Sequence, residues 1–205
     1  MSEPHTIYNP GQFKVVFPHL KGVVPEWLVL GGPADANEAQ TAVEEWSELK
    51  VIGVEPSAKM CEFQTAQGWP GILVQKALSD AVGYRTIRIP KGLERCSTLL
   101  LDLPGELVGV ETTTVDTLDG LYGPFRNCVL WLDIEGWEGK ALEGARGLFE
   151  REDVLLVNLE WVYQLGENRR QIGKFMREYG FQLAETWDVR YDLCEDRIYV
   201  SERLK

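Results

Sequence analysis

Residues 129–145 read VLWLDIEGWEGKALEGA, which combines an apolar run, two acids and a helical pattern. The apolar run Val129–Leu132 predicts a strand that is covered on both faces of a sheet. Asp133 and Glu135 follow where this strand ends, and Trp137–Phe149 has the spacing of a helix. A carboxylate near a protein core costs free energy unless it is solvated, paired or used in chemistry. The two acids therefore mark a candidate functional site.

The same order of strand and helix recurs in the first half of the chain. Three further strands are predicted at apolar runs: WLVL (27–30), VIGVE (51–55) and GILVQKAL (71–78). A helix is predicted after each of the first two strands, with Asn37 and Ser57 as the N-caps. Repeated strand–helix units predict a parallel sheet with helices on both faces, and such sheets bind ligands at the carboxyl ends of their strands.

The later part of the chain contains segments with a different pattern. Tyr84–Ile89 and Leu107–Thr113 alternate apolar and polar residues and predict antiparallel extensions or edge strands, with a loop at Pro90–Glu106 between them. Three strands and one helix are predicted after residue 150: VLLVNLE (154–160), a helix at 172–179 ended by Gly180, FQLAETW (181–187) and DRIYV (196–200). The short polar connection between the last two strands favours an antiparallel pair.

Composition and charge restrict the class of protein. The 205 residues are 44% hydrophobic and 26% charged, which is typical of a globular protein. The length predicts one domain over residues 1–205, with an N-terminal segment at 1–25 and an α/β core at 26–205. The net charge of -11 argues against nucleic acid as a partner. With neither a signal peptide nor an apolar run of membrane-spanning length, we expect a cytoplasmic protein that does not bind membranes.

Four acids fall at or just after the ends of predicted strands: Glu55, Asp80, Asp133 and Glu160. Glu55 lies about twenty residues beyond the first glycine turn, where a nucleotide-binding sheet presents an acid to ribose hydroxyls. A carboxylate suits this position because it accepts hydrogen bonds from both hydroxyls. The turn itself, GGPADAN (31–37), lacks the G-x-G-x-x-G pattern and does not predict a phosphate cradle.

Five segments together resemble the FkbM family of S-adenosylmethionine-dependent O-methyltransferases. They are IGVEPS, ALSD, TTTVDTLDG, WLDIEGWEGKALEGA and LVNLE, and they cover Val51–Glu160 in the order and spacing of the family. The resemblance implies an α/β, class I methyltransferase (Rossmann-like) fold: a seven-stranded, mostly parallel sheet with an antiparallel last strand. It also implies S-adenosylmethionine as the cofactor and a hydroxyl of a small molecule or carbohydrate as the methyl acceptor.

The resemblance also implies roles for individual residues. Glu55 would bind the ribose of the cofactor, Asp80 would lie near its adenine, and Asp133 and Glu135 would face the methyl-transfer centre. The first turn differs from the family pattern D-x-G-A-N-x-G, so Asp35 or Asn37 would substitute for the usual acid. The predicted cofactor-binding residues are Gly31, Gly32, Asp35, Asn37, Glu55, Pro56, Ser79, Asp80 and Asp133, and the predicted catalytic residues are Asp133 and Glu135.

The acceptor hydroxyl requires a general base or a metal to remove its proton. Asp133, Glu135 and Glu160 could hold a cation, but their spacing is not a metal signature, and we favour a base without a metal. His19 is an alternative base, although a surface histidine is the preferred interpretation. Among the aromatic residues, Trp131 is predicted to fill the core, whereas Trp137 and Trp161 are the candidates for stacking against a ligand.

Two other functions are compatible with parts of this pattern. The altered GGPADAN turn favours a catalytically weak or inactive relative that keeps the fold as a binding module. A nicotinamide-dependent oxidoreductase would also have an acid after the second strand, but the missing glycine fingerprint and the antiparallel ending disfavour it.

Overall fold

The computed structural model describes residues 12–33, 35–90, 105–162, 166–188 and 194–204. Most of the predicted loop at Pro90–Glu106 and the first part of the N-terminal segment lie outside these residues. The strands are β1 (Trp27–Gly31), β2 (Lys50–Val54), β3 (Ile72–Val74), β4 (Ala77–Leu78), β5 (Gly83–Pro90), β6 (Gly105–Thr113), β7 (Cys128–Leu132), β8 (Val154–Val162), β9 (Phe181–Asp188) and β10 (Cys194–Ser201).

Six α-helices and two 3-10 helices connect or flank these strands in the described part of the chain. The α-helices are α1 (Asn37–Glu45), α2 (Ala58–Ala66), α3 (Val115–Tyr122), α4 (Glu138–Glu143), α5 (Arg146–Glu150) and α6 (Gly166–Glu178). The 3-10 helices are Gln12–Leu20 and Glu202–Leu204. No helix of the described residues is long and apolar enough to cross a membrane.

Seven strands form one sheet in the order β3-β2-β1-β7-β8-β10-β9. The pairs among β3, β2, β1, β7 and β8 are parallel, whereas β10 is antiparallel to both of its neighbours, β8 and β9. This arrangement confirms the predicted class I methyltransferase fold with its antiparallel last strand. The short connection between β9 and β10 is the feature that made the antiparallel pair predictable.

The register of the central strands sets the positions of the acids. Gly31 of β1 is aligned with Val54 of β2 and with Leu132 of β7, and Leu132 is aligned with Leu159 of β8. Glu55, Asp133 and Glu160 each come one residue later, so all three lie at the same level of the carboxyl edge. Parallel pairing therefore explains why three acids that are distant in sequence share one edge of the sheet.

Apolar side chains cover both faces of this sheet. On one face, α4, α5 and α6 contribute Leu142, Leu148 and Phe175, which are at most 3% exposed. On the other face, the N-terminal 3-10 helix packs Phe13 against Trp131 of β7, with ring centroids 5.2 Å apart. Trp131 is 6% exposed, which confirms its predicted place in the core.

Two predicted elements are divided in the structure. The third predicted strand becomes β3, in the seven-stranded sheet, and β4, which pairs with β6 in a separate three-stranded sheet of order β4-β6-β5. The predicted helix at Trp137–Phe149 becomes α4 and α5. The chain is tightly packed at this break, because a Cβ on Gly144 would overlap the carbonyl oxygen of Ser79. The side chain of Asp116 then accepts hydrogen bonds from the amides of Gly147 and Leu148 in α5.

The glycine turn after β1 is packed directly against the end of β7. Gly32 has φ +68°, and a Cβ at this position would overlap the carbonyl oxygen of Asp133. The amide of Asp133 in turn donates to the carbonyl of Gly31 at 3.0 Å. Only glycine combines this backbone conformation with the close approach.

We predict that Gly32→Ala destabilises the protein more than Gly22→Ala does. Gly22 has φ +82°, and a Cβ added there would have nothing within 4 Å, so its substitution carries only the backbone cost, about 1 to 2 kcal/mol. Gly32→Ala must also displace the Asp133 carbonyl, which should add at least about 1 kcal/mol. Urea unfolding of both variants measures the difference. Equal losses of unfolding free energy in the two variants would show that the turn and β7 are not tightly packed.

Candidate active site

Three carboxylates lie together at the carboxyl ends of β7 and β8. One oxygen from each of Asp133, Glu135 and Glu160 lies within 4.8 Å of the other two. Glu135 and Glu160 are 8% and 3% exposed, whereas Asp133 is half-buried. Charges at this separation repel one another unless a proton, a cation or hydrogen-bond donors offset them. The structure thus brings the two predicted catalytic residues together with Glu160.

The loop after β7 turns sharply and returns Glu135 to this cluster. Glu135 has φ +53° and Gly136 has φ +95°. A glutamate in the left-handed region is uncommon and costs free energy, and such strained residues occur often at functional sites. The surrounding contacts must therefore hold the loop in this shape.

Glu138 is completely buried, and it is the first of two acids here that the sequence did not single out. Its Oε1 atom accepts hydrogen bonds from the amides of Ile134 and Gly136, each at 3.1 Å. Burial, and then the charge of Glu160, raise the pKa of Glu138 to about 8. The sequence signal was the third acid of the DIEGWE segment, which is the first residue of α4.

Asp196 is a second acid that the sequence did not single out. It is aligned with Glu160 across the antiparallel pair β8–β10, so both side chains lie on the same face of the sheet. Asp196 is 6% exposed and Glu160 is 3% exposed. In the sequence it is a single acid at the start of the run DRIYV. Its position beside Glu160 could not be predicted without knowing which strand pairs with this run.

Glu55 lies at the end of β2 and is 7% exposed. Its Oε1 atom accepts a hydrogen bond from the amide of Ser57 at 2.7 Å. Burial raises the pKa of Glu55 to about 7, although the Ser57 hydrogen bond opposes this shift. A carboxylate has about four acceptor positions, and Ser57 uses one of them. Ser57 also caps α2 through its hydroxyl, as predicted, and Pro56 between the two is half-buried.

The side chains of the first turn take part in the start of α1. Asp35 is 6% exposed, and its Oδ1 atom accepts a hydrogen bond from the amide of Asn37 at 2.8 Å. The N-cap of α1 is Ala36, so the prediction of Asn37 as the N-cap was wrong. The spacing of the helical pattern located the helix, but the capping contact comes from the aspartate two residues before its first residue.

Ser79 and Asp80 follow β4 and contact the segment after β7. The hydroxyl of Ser79 accepts a hydrogen bond from the indole of Trp137 at 3.3 Å and donates one to Asp80 at 3.0 Å. Lys140 of α4 binds the other oxygen of Asp80 at 2.8 Å and holds the pKa of this carboxyl below its usual range. A pocket of about 430 Å³ opens beside Asp80, between α4, α5 and α6, and its lining does not include Glu55, Asp133 or Glu160.

Two of the other candidates do not belong to this site. His19 is bound to Glu185 of β9 at 2.8 Å, so the structure gives no support to its use as the base. Trp161 was predicted to stack against a ligand, but it is 8% exposed in the core, with the guanidinium of Arg197 3.6 Å from its ring centroid. The extension of β8 to Val162 explains this, because Trp161 remains within the sheet.

Comparisons with known proteins identify the family of this chain. The methyltransferase FkbM domain matches residues 35–183, which is most of the chain. The chain belongs to the FkbM methyltransferase family. It is therefore a methyltransferase that uses S-adenosylmethionine, as the sequence predicted. The comparison with curated proteins gave no match.

Solved structures show the same fold at low sequence identity. Magnesium protoporphyrin IX methyltransferase from Synechocystis, with bound S-adenosylmethionine, is 12% identical with a TM-score of 0.53, over 98% of this chain and 86% of the other. Precorrin-6y C5,15-methyltransferase from Geobacter metallireducens is 11% identical with a TM-score of 0.52, over 98% and 92%. The fibrillarin pre-rRNA processing protein from Methanococcus jannaschii is 10% identical with a TM-score of 0.52, over 95% and 77%.

The residues at the carboxyl edge fit the chemistry of this cofactor. Ribose hydroxyls are hydrogen-bond donors, and Glu55 is a nearly buried hydrogen-bond acceptor at this edge. The sulfonium and ammonium groups of S-adenosylmethionine are cations, and the cluster of Asp133, Glu135 and Glu160 offers carboxyl oxygens to such groups. When bound, the cofactor supplies an electrophilic methyl group.

The raised pKa of Glu55 predicts a pH dependence of stability. Its ordinary pKa is 4.5, and in the fold the pKa is about 7, so between these values the folded protein holds a proton that the unfolded chain has lost. The contribution of Glu55 to stability is therefore full below about pH 4.5 and is lost as the pH rises through 7.

Glu55→Gln keeps the acceptor for Ser57 and removes this titration. Relative to the variant, we expect the wild-type protein without cofactor to lose roughly 2 to 3 kcal/mol of stability between pH 4.5 and pH 8. Urea unfolding at both pH values measures this, and Glu62→Gln, at an exposed site of α2, should follow the wild type. A constant difference between wild type and Glu55→Gln would contradict the burial of a titrating carboxyl.

Proposed function

We propose that this FkbM methyltransferase transfers the methyl group to a hydroxyl of a small molecule or carbohydrate. The observation that supports this most directly is the cluster of Asp133, Glu135 and Glu160 at the carboxyl edge of the sheet. An alcohol must lose its proton as it is methylated, and a positioned carboxylate can accept that proton. Transfer to a nitrogen or carbon that is already nucleophilic would need no such concentration of acids.

Asp133 is the best candidate for the base within this cluster. It is half-buried, whereas Glu135 and Glu160 are at most 8% exposed, so Asp133 is the acid that an acceptor can reach most easily. Its carboxylate would orient the acceptor hydroxyl and take its proton, while Glu135 and Glu160 would help by keeping the site anionic. Orientation of the two reactants supplies much of the rate in such an in-line displacement.

The charge of the chain supports an uncharged acceptor. A net charge of -11 and a cluster of three acids at the site would repel a phosphate backbone. One of the structures with the same fold is named as a pre-rRNA processing protein, and RNA is therefore included in the test below. A carbohydrate or polyol offers hydroxyls without the charge.

A second candidate function is a cofactor-binding module with little catalytic activity. It is favoured by the contact of Asp35 with the amide of Asn37, which ties the acid of the first turn to the start of α1. Loss of a cofactor contact at this turn would weaken binding without changing the fold. The two functions differ in whether the protein catalyses methyl transfer.

Replacement of Glu55 tests the cofactor site. A hydrogen bond to a charged acceptor contributes about 1.5 to 3 kcal/mol, and two of them do not fully add. We expect Glu55→Ala to lose roughly 2 to 4 kcal/mol of S-adenosylhomocysteine binding, or about thirty- to a thousand-fold in affinity. Isothermal titration calorimetry measures this, with Glu62→Ala as the control. Unchanged affinity in a folded Glu55→Ala protein would remove Glu55 from the cofactor site, and Asp35→Ala should have the smaller effect of the two.

Replacement of Asp133 tests the base. Asp133→Asn keeps the shape of the side chain and removes its basicity, so we expect nearly normal S-adenosylhomocysteine binding and methyl transfer at least about a hundredfold slower. Transfer is measured from tritiated S-adenosylmethionine to a panel of sugars, oligosaccharides, polyols and an RNA oligonucleotide. Glu150→Gln, at an exposed site of α5, is the matched control.

Other outcomes would give Asp133 a different role or the protein a different function. If the cluster holds a divalent cation, a chelator should also abolish wild-type transfer and added metal should restore it. If Asp133 only supports the fold, the variant should melt earlier yet turn over at nearly the native rate in the cold. Wild-type binding of S-adenosylhomocysteine without transfer to any acceptor of the panel would favour the binding module, and transfer to RNA would replace the proposed acceptor class.

A further inference from the structure

We propose that Glu138 and Asn168 are positioning residues that hold the Asp133–Gly136 loop in its active shape. This inference rests on the proposed function, because the loop carries Asp133 and Glu135. The strained conformation of Glu135 requires contacts that maintain it. The side chains of Glu138 and Asn168 supply them.

The first part of this contact is within the loop and the start of α4. Glu138 accepts hydrogen bonds from the amides of Ile134 and Gly136 through one oxygen, Oε1, at 3.1 Å each. The two amides lie on either side of Glu135, so a single carboxylate oxygen fixes the chain before and after the strained residue. Glu138 is completely buried, which strengthens each hydrogen bond and excludes water from competing for it.

The second part ties the loop to α6, a distant segment of the chain. Asn168 donates from Nδ2 to the carbonyl of Gly136 at 2.9 Å and to Oε2 of Glu138 at 3.3 Å. Its Oδ1 atom accepts a hydrogen bond from the amide of Gly139 at 3.2 Å. The amide group of Asn168 thus uses both its donor nitrogen and its acceptor oxygen on the loop and on the first turn of α4.

Gly139 shows how closely Asn168 is placed. A Cβ on Gly139 would overlap Oδ1 of Asn168, and its next contacts, at 3.6 Å, are Cγ of Asn168 and Cγ1 of Ile172. Gly139→Ala therefore moves the Asn168 amide out of position while leaving Glu138 and Asn168 both present. It disturbs the same contact as Asn168→Ala by a different route.

This relation gives a test by double substitution. The amides of Ile134 and Gly136 should exchange with solvent at least about tenfold faster in Asn168→Ala and in Gly139→Ala than in the wild type, because the loop opens more often. The double variant Gly139→Ala/Asn168→Ala should exchange no faster than Asn168→Ala, since the added methyl no longer meets an amide. Arg170→Ala, at an exposed site of α6, should behave as the wild type.

Exchange is followed by nitrogen-15 NMR without cofactor, with Leu130 and Leu132 of β7 as internal references. Unchanged exchange at Ile134 and Gly136, or an equal rise at Leu130 and Leu132, would overturn the inference. So would a double variant whose increase equals the product of the two single increases. These measurements do not depend on the proposed function.

The activity of the same variants tests whether the contact serves the reaction. We expect kcat for methyl transfer to fall at least about tenfold in Asn168→Ala and Gly139→Ala, with the KM for S-adenosylmethionine within about threefold of the wild-type value. A faster-exchanging loop with unchanged kcat would overturn the positioning role. Failure of the wild type to transfer a methyl group to any acceptor would instead overturn the proposed function and leave the exchange result standing.

Discussion

Burial of acidic side chains at the carboxyl edge of the seven-stranded sheet constrains the rest of the structure. Glu55, Glu138 and Glu160 are each at most 7% exposed at this edge. A buried carboxylate is tolerated only where donors or opposite charges offset the lost hydration. Backbone amides are one source of these donors, because Ser57 donates to Glu55, and Ile134 and Gly136 donate to Glu138. The site therefore depends on turns whose backbone amides donate hydrogen bonds to these acids.

Three glycines also lie where the chain around this loop has no room for a side chain. Gly32 lies against the carbonyl of Asp133, Gly139 against Asn168, and Gly144 against the carbonyl of Ser79. Each contact joins the loop after β7, or the helix that follows it, to another part of the chain: β1, α6 and the end of β4. The loop that carries Asp133 is therefore fixed from several directions, which suits a site whose chemistry depends on orientation.

The acids also determine what the site can attract. Burial raises the pKa of Glu55 and Glu138, so these two groups keep protons at pH values where surface acids have lost them. A cationic ligand near them would favour the charged forms, and binding would then release protons.

The sequence by itself determined the fold class, the order of most elements and the acids Glu55, Asp133 and Glu160 at or after the ends of predicted strands. Periodicity and strand–helix alternation are local properties, and the DIEGWEGKALEGA segment carried the family resemblance. Only the tertiary structure decided which side chains meet. Glu138 contacts Asn168, which lies 30 residues away, and Asp196 is aligned with Glu160, which lies 36 residues away. The helix after Trp137 divides where Gly144 packs against Ser79, and Trp161 is buried in a strand that extends to Val162. No local pattern records these contacts, because they arise from strand register and helix packing between distant parts of the chain.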